Sequence, residues 1–163
     1  MMFHVSFGSG KREAEIRKIA TSDRTTAVIL AAVHFEWMLK RAILKMGSSP
    51  TKDLRGQLEG VYRMEKKGNQ DGYKEVWHRE VGSRVKNASL QTVIGHLSRI
   101  QSHALNVRGK VVHGNGTVSE AHADEAIDLF LGAGEKLRDF ASKRDIDLDT
   151  RLKTRPKSKV VNP

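Results

Sequence analysis

Cysteine is absent from this chain of 163 residues, and its absence excludes several classes of protein. Without thiols there is no disulfide scaffold, no thiolate nucleophile and no cysteine-ligated zinc or iron–sulfur site. Long apolar runs are also missing, since the longest stretch free of Asp, Glu, Lys and Arg is Asn87–Ser98, 12 residues, against roughly 20 for a membrane span. The first residues, MMFHVSFGSGKR, lack the layout of a signal peptide. We therefore expect a cytoplasmic protein with no membrane partner.

The common catalytic and ligand-binding motifs are missing as well. The sequence contains no GxxxxGK[ST] phosphate loop, no HExxH, no GxSxG and no EF-hand loop. The seven histidines are not spaced as metal ligands, because His96 and His103 lie seven residues apart without an evident third ligand. We expect neither a metal site nor a cofactor.

Basic residues outnumber acidic ones, 29 to 19, which gives a net charge of +10. The stretch from Ala141 to the end holds seven Lys and Arg against three Asp, a net of +4. An excess of this size favours a polyanionic partner such as RNA, or an acidic protein. A basic tail that serves only solubility would have the same composition.

Apolar residues recur at helical spacing along most of the chain, and no stretch alternates with the period of two that is typical of strands. The predicted helices are Lys11–Ala20; Thr25–Met46, capped by Ser22 or Asp23; Pro50 to about Lys67, capped by Ser49; a short stretch from Tyr73 to Val81; Leu90 to Val111, capped by Asn87 or Ser89; and a last helix from a Thr117–Glu120 capping box to Phe140.

This pattern predicts an all-α protein, an antiparallel bundle of four to five helices. We divide it into an N-terminal arm with a short helix (1–21), the helical bundle (22–142) and a basic, flexible C-terminal tail (143–163) with little apolar content. The large apolar side chains of the second helix are predicted to lie in the core or a dimer interface, namely Phe35, Trp37, Met38 and Met46. For Trp77 we expect a surface or packing role rather than a contact with RNA.

One segment, Asn106–Asn115, combines residue types that can cleave RNA without a metal. The guanidinium of Arg108 can hold two phosphate oxygens, and the imidazole of His113 can give or take a proton near neutral pH. In an unbroken helix a five-residue step leaves these side chains about 140° apart. They would meet at one phosphate if the helix breaks at Gly109 or Gly114, or if a second subunit supplies one of them. Otherwise the two side chains would only meet the exposed carbonyls at a helix end.

The sequence RGKVVHG, following a long amphipathic helix in an all-α chain, resembles the signature of the HEPN superfamily (higher eukaryotes and prokaryotes nucleotide-binding domain). That signature is an Arg, four to six residues, then His, typically R-N-x-x-x-H-G. The segment TTAVILAAVHFEWMLKRAILKM is also similar to the first core helix of the family, in which an acidic residue often interrupts an apolar run. The resemblance covers roughly residues 22–142.

The resemblance implies a fold, an activity and a partner. The bundle would dimerise and bring two copies of the motif into one basic cleft, and the protein would be a metal-independent endoribonuclease. Arg108 would bind and orient the scissile phosphate, His113 would act as general acid or base, and the product would be a 2′,3′-cyclic phosphate. Toxin–antitoxin and phage-defence roles would add an antitoxin or a defence-complex protein as partner.

The motif departs from the family at Gly109, where a polar residue, often Asn, usually follows the arginine. The missing hydrogen bonds to substrate would come from Asn106, Lys110 or Asn115, and Glu36 would support the site. Alternatively, Gly109 marks a non-catalytic nucleic-acid-binding, regulatory or scaffold dimer. A small DNA-binding regulator is less favoured, because no helix pair has the tight turn of a helix-turn-helix.

Overall fold

The computed structural model describes residues 10–157, which are mostly helical and contain no β-strand. The all-α prediction is therefore confirmed for these residues. Two π-helical turns, His78–Gly82 and Ile100–Ala104, directly follow α-helices that end at Trp77 and Arg99. The helices are α1 (Lys11–Ala20), α2 (Arg24–Met46), α3 (Thr51–Glu59), α4 (Tyr73–Trp77), α5 (Leu90–Ile94), α6 (Leu97–Arg99), α7 (Leu105–His113) and α8 (Glu120–Ser142).

The core forms mainly between α2 and α8, each 23 residues long. Phe35 of α2 faces Phe130 of α8 with ring centroids 5.8 Å apart. The indole of Trp77 is fully buried and donates a hydrogen bond from Nε1 to the Ala88 carbonyl at 2.7 Å. Met38 and Met46 are buried as core residues, as Phe35 is, whereas Trp37 is only partly buried.

The predicted N-terminal cap of the second helix is confirmed, whereas the predicted cap and end of the third helix are wrong. Asp23 caps α2 by accepting a hydrogen bond from the Thr26 N–H at 2.9 Å. Helix α3, however, ends at Glu59 rather than near Lys67, and Pro50 rather than Ser49 stands at its N-cap. Residues 60–72 form a loop whose tip is closed by backbone hydrogen bonds between Lys67 and Gln70.

A buried carboxylate explains why Ser49 is not the cap of α3. Glu80, only 2% exposed, accepts hydrogen bonds from the backbone N–H groups of Ser48 and Ser49 at 3.0 Å and from Ser49 Oγ at 2.7 Å. Burial alone would raise the pKa of Glu80, but these hydrogen bonds outweigh it and lower the pKa. The ionised side chain thus fixes the connection between α2 and α3.

The long helix predicted from Leu90 to Val111 is interrupted. Ser89 caps α5, which ends at Gly95 in a left-handed conformation (φ 77°), and Lys136 of α8 donates to the Ile94 carbonyl at 2.8 Å. The helical path then runs without a break from Leu97 to His113. Helix α8 is capped by Ser119, which accepts from the His122 N–H at 3.2 Å, and not by the predicted box at Thr117.

Residues 143–157, expected to belong to a flexible tail, pack against the bundle. Leu148 is fully buried, and Asp149 forms an ion pair with Arg138 of α8 at 3.0 Å. Arg155 donates to the Leu44 carbonyl at 2.8 Å and, through its backbone N–H, to Thr51 Oγ1 at 2.8 Å. The remaining residues of the predicted tail, 158–163, and residues 1–9 of the predicted arm lie outside the described residues.

An ionic cluster joins α1 to this assembly. Glu13 is buried, with Arg138 Nη2 at 2.7 Å and His34 Nε2 at 3.2 Å from its Oε1 atom. Arg138 also contacts Asp149, so α1, α2, α8 and the C-terminal segment meet at one set of charges. A sequence pattern cannot reveal such a cluster, because its members are distant in the chain.

Candidate nucleic-acid site

Both residues of the Arg-x4-His motif lie on α7, and the helix does not break between them. Gly109 is an interior residue of α7, and the helix ends only at Gly114, which adopts the left-handed conformation (φ 65°). Five residues of regular helix separate Arg108 from His113, so the two side chains leave the axis about 140° apart. A single chain therefore presents them on different faces of α7.

The predicted site residues of α7 are open to solvent. Within residues 10–157, no side chain forms a hydrogen bond or ion pair with Arg108 or His113. Helical geometry places Asn106, Lys110 and His113 within about 60° of one another on one face, and Arg108 on another. All the predicted motif residues are exposed, namely Asn106, Arg108, Lys110, His113 and Asn115.

Arg108 lines a cleft of about 770 Å³ between α2, the 60–72 loop and α7, which we call the α2–α7 cleft. Glu36 of α2, the predicted supporting residue, lines the same cleft. The other predicted site residues do not, namely Asn106, Lys110, His113 and Asn115. The structure thus brings Glu36 and Arg108 together and leaves His113 apart. The polar and aromatic residues of the α2–α7 cleft are Glu36, Tyr62, Arg63, Glu65, Lys66, Lys67, Tyr73, Gln101 and Arg108.

Basic side chains outnumber acidic ones among the residues that line the α2–α7 cleft, and one of its two carboxylates is held in place by a hydrogen bond. Glu65 is paired with Lys74 at 2.6 Å. Glu36 accepts a hydrogen bond from the Tyr73 hydroxyl at 2.7 Å and lies 3.0 Å from Lys40 Nζ. Burial of Tyr73, together with the adjacent carboxylate, raises the pKa of its phenol, so the hydroxyl stays protonated and donates to Glu36.

Two exposed apolar side chains also line the α2–α7 cleft. Among residues 10–157, the large hydrophobic side chains that are exposed are Val33, Tyr62 and Val112. Val33 and Tyr62 line the cleft, and Val112 lies four residues after Arg108 on the same face of α7. Exposed apolar groups that cluster beside a charged cleft are typical of a binding surface.

The loop residues of this cleft are hidden in the sequence, because apolar Val61 and Tyr62 continue the helical pattern beyond the end of α3 at Glu59. Arg63, Lys66 and Lys67 were therefore not placed opposite Arg108, and Tyr73 was not paired with Glu36. The sequence feature that indicates this loop is a pair of glycines, Gly60 and Gly72, which flank a run rich in basic residues.

Comparisons with protein-family models, with curated proteins and with solved structures found no match for this chain. Residues 10–157 contain no group of three or more His, Asp or Glu side chains placed to hold a metal ion. None of the helices in the same range is both long and apolar enough to cross a membrane.

Proposed function

We propose that this chain is a metal-independent endoribonuclease of the HEPN type that acts as a homodimer. The observation that carries the proposal is Arg108, which has no side-chain partner among residues 10–157 and lines a basic cleft together with Glu36, with an exposed histidine five residues further along the same helix. A permanently charged fork and an imidazole that can give or take a proton are the chemical minimum for this reaction.

The proposed reaction is a transesterification. Arg108 binds the non-bridging oxygens of the scissile phosphate, and the ribose 2′-oxygen attacks phosphorus after losing its proton to a base. The bond from phosphorus to the 5′-oxygen breaks, and that oxygen takes up a proton. His113 carries out one of these two proton transfers. The products are a 2′,3′-cyclic phosphate and a 5′-hydroxyl, so atoms and charge balance without another reactant.

The geometry of α7 is the reason for proposing a dimer. Because Arg108 and His113 diverge by about 140° on one helix, we propose that Arg108 of one subunit and His113 of a second copy act on the same phosphate. The face shared by His113, Lys110 and Asn106 would then contribute hydrogen bonds to the RNA from the second copy. An antitoxin or defence-complex protein would control such an enzyme by covering the cleft.

A second candidate is a non-catalytic RNA-binding or regulatory dimer. The unbroken helix through Gly109 favours it, because each chain keeps its arginine and histidine apart. In that case the basic cleft would hold RNA without cutting it.

The test is incubation of the purified protein with a mixed RNA pool in EDTA. We expect wild type to leave 2′,3′-cyclic phosphate ends, and Arg108→Ala or His113→Ala to lose about a hundredfold or more of the cleavage rate. Arg55→Ala and His96→Ala remove exposed side chains of the same types away from the α2–α7 cleft and should cut normally. Intact RNA with a folded, dimeric wild type would contradict the nuclease and favour the binding function.

A further inference from the structure

Glu36 has one carboxylate oxygen engaged and one free. Tyr73 and Lys40 both approach Oε1, at 2.7 and 3.0 Å, and no described residue forms a hydrogen bond with Oε2. Tyr73 is only 3% exposed and cannot easily move, so it fixes the carboxylate against α2. The Glu36 side chain is 41% exposed, so the α2–α7 cleft contains a positioned acceptor whose second oxygen is open to a donor from a ligand.

The four RNA bases differ in how well they satisfy a carboxylate. An ionised carboxylate only accepts hydrogen bonds. The Watson–Crick edge of guanine carries two adjacent donors, N1–H and the N2 amino group. Adenine and cytosine place a ring-nitrogen acceptor beside their amino group, and uracil has a single N–H between two carbonyls. The free Oε2 of Glu36 has two lone pairs and can accept both guanine donors, whereas adenine and cytosine offer one donor beside an acceptor and uracil one donor between two acceptors, so this carboxylate favours guanine.

Tyr62 offers a surface on which such a base can stack. Its side chain is 62% exposed, and the Arg63 guanidinium lies 5.0 Å from the ring centroid. The Tyr62 hydroxyl and the Gln70 amide are 3.3 Å apart, and Gln70 also contacts the Gly60 carbonyl at 3.4 Å, which ties the ring to the loop. Aromatic rings that line a positively charged groove are the usual support for unpaired bases.

The cleft is large enough to hold a nucleotide, and its positive charge suits the phosphates. Its volume of about 770 Å³ falls in the range of roughly 300–1,000 Å³ common for small-ligand sites. Lys66, Lys67 and Arg108 lie on its wall, where they can meet the flanking phosphates.

We infer that the α2–α7 cleft is a base-specificity site that holds one unpaired guanine of the RNA, stacked on Tyr62, with its Watson–Crick edge at the carboxylate of Glu36. The inference rests on the proposed function in one respect, that RNA enters this cleft. It adds the base that is recognised and the residue that reads it.

The test measures binding without cleavage. The probes are labelled 2′-O-methyl oligouridylates of about eleven nucleotides that carry a single central guanine, adenine, cytosine or inosine. They cannot be cut, because their 2′-oxygens are blocked. By fluorescence anisotropy we expect wild type to bind the guanine oligonucleotide about tenfold more tightly than the adenine, cytosine or all-uridine one. Inosine, which lacks the N2 amino group, should fall between them.

Two pairs of variants separate the roles of the residues. Glu36→Gln should abolish the guanine preference, whereas Glu59→Gln removes the same charge from α3 outside the cleft and should keep it. Tyr62→Ala should weaken binding of every oligonucleotide about tenfold, and Tyr62→Phe, which retains the ring, should not. Thermal melting of each variant confirms that it is folded.

The outcomes distinguish this inference from the nuclease proposal. Equal affinity for all bases, a guanine preference that survives Glu36→Gln, or no binding of any oligonucleotide would overturn the inference. RNA cleavage without base preference would leave the nuclease standing and remove the guanine site. A Glu36-dependent guanine preference in a protein that cuts no RNA would support the site and contradict the nuclease.

Discussion

Glu13 is a carboxylate whose surroundings act in opposite directions on its pKa. Burial raises the pKa, but contacts with His34 and Arg138 lower it more, from the usual 4.5 to about 2. The side chain therefore stays ionised inside the protein at neutral pH. It helps to anchor α1, whose apolar contacts with the core come from Ile16 and from the partly buried Ile19 and Ala20.

This lowered pKa predicts a pH dependence of stability. Because the folded-state pKa lies below the unfolded one, Glu13 stabilises the fold fully above pH about 4.5, and this contribution is lost as the pH falls towards 2. Its size corresponds to about 3 kcal/mol. We expect Glu13→Gln to lower the free energy of unfolding at pH 7 by about this amount and the difference from wild type to shrink below pH 4.5.

Urea denaturation between pH 2.5 and 7 measures both curves. Glu15→Gln, an exposed neighbour on α1, should follow wild type throughout. A Glu13→Gln curve that stays parallel to wild type below pH 4.5 would contradict the assignment of this titration to Glu13.

At the scale of elements, Gly109 is a glycine inside a helix with no steric need to be one. A Cβ added there would meet nothing within 4 Å, and its φ is not left-handed. We expect Gly109→Ala to raise the free energy of unfolding by about 0.5–1 kcal/mol, because alanine loses less backbone entropy. Gly114→Ala, at φ 65°, should instead destabilise α7 by about 1 kcal/mol. Chemical denaturation checks both signs.

The same substitution tests whether α7 must bend for catalysis. If Arg108 and His113 of one chain had to converge, stiffening the helix at Gly109 would slow RNA cleavage. If they come from two subunits, Gly109→Ala should cut at the wild-type rate. A large loss of activity in the stabilised variant would contradict the dimeric arrangement.

The C-terminal segment is a second element whose role can be tested. Leu148 is fully buried in the hydrophobic core, so Leu148→Ala should cost about 2–4 kcal/mol of unfolding free energy. Leu152→Ala, at a half-buried position, should cost less. Equal small effects in urea denaturation would indicate that the segment detaches readily.

Local signals and long-range contacts explain which elements could be predicted. Helix α2 was predictable, since its apolar face and the Asp23 cap are read within one stretch of sequence. The end of α3 was not, because Val61 continues the apolar pattern but is buried from the loop (6% exposed). The packing of Leu148 was hidden among acidic residues, and its carbonyl accepts a hydrogen bond from Arg41, which lies 107 residues earlier in the chain.

For the site, the sequence identified residues but not their arrangement. Arg108 carried a chemical signal of its own, whereas Glu36 was suggested only by the family resemblance, and the structure places both in the α2–α7 cleft. Tyr62 and Tyr73 carried none, because their roles depend on the 60–72 loop and the start of α4 lining one cleft together with α2. The separation of Arg108 from His113 follows from helix geometry, but only the structure shows that α7 is unbroken.

At the scale of the whole molecule, a dimer that shares its sites makes a prediction that a monomer does not. Arg108→Ala and His113→Ala are each expected to be inactive. In a mixed dimer of the two, one site combines the intact Arg108 of one subunit with the intact His113 of the other. Random exchange in an equimolar mixture makes half of the dimers mixed, so activity should recover to about a quarter of wild type.

The control is the double variant, Arg108→Ala with His113→Ala, mixed with either single variant. Every site in those dimers lacks a residue, so no activity should return. Native mass spectrometry establishes that mixed dimers form, and cyclic-phosphate ends on the RNA measure cleavage. Mixed dimers that form without recovering activity would contradict shared sites, because an arrangement within one chain leaves both sites of such a dimer damaged. Recovery would show that the 140° between the two side chains on α7 is spanned by a second copy of the protein.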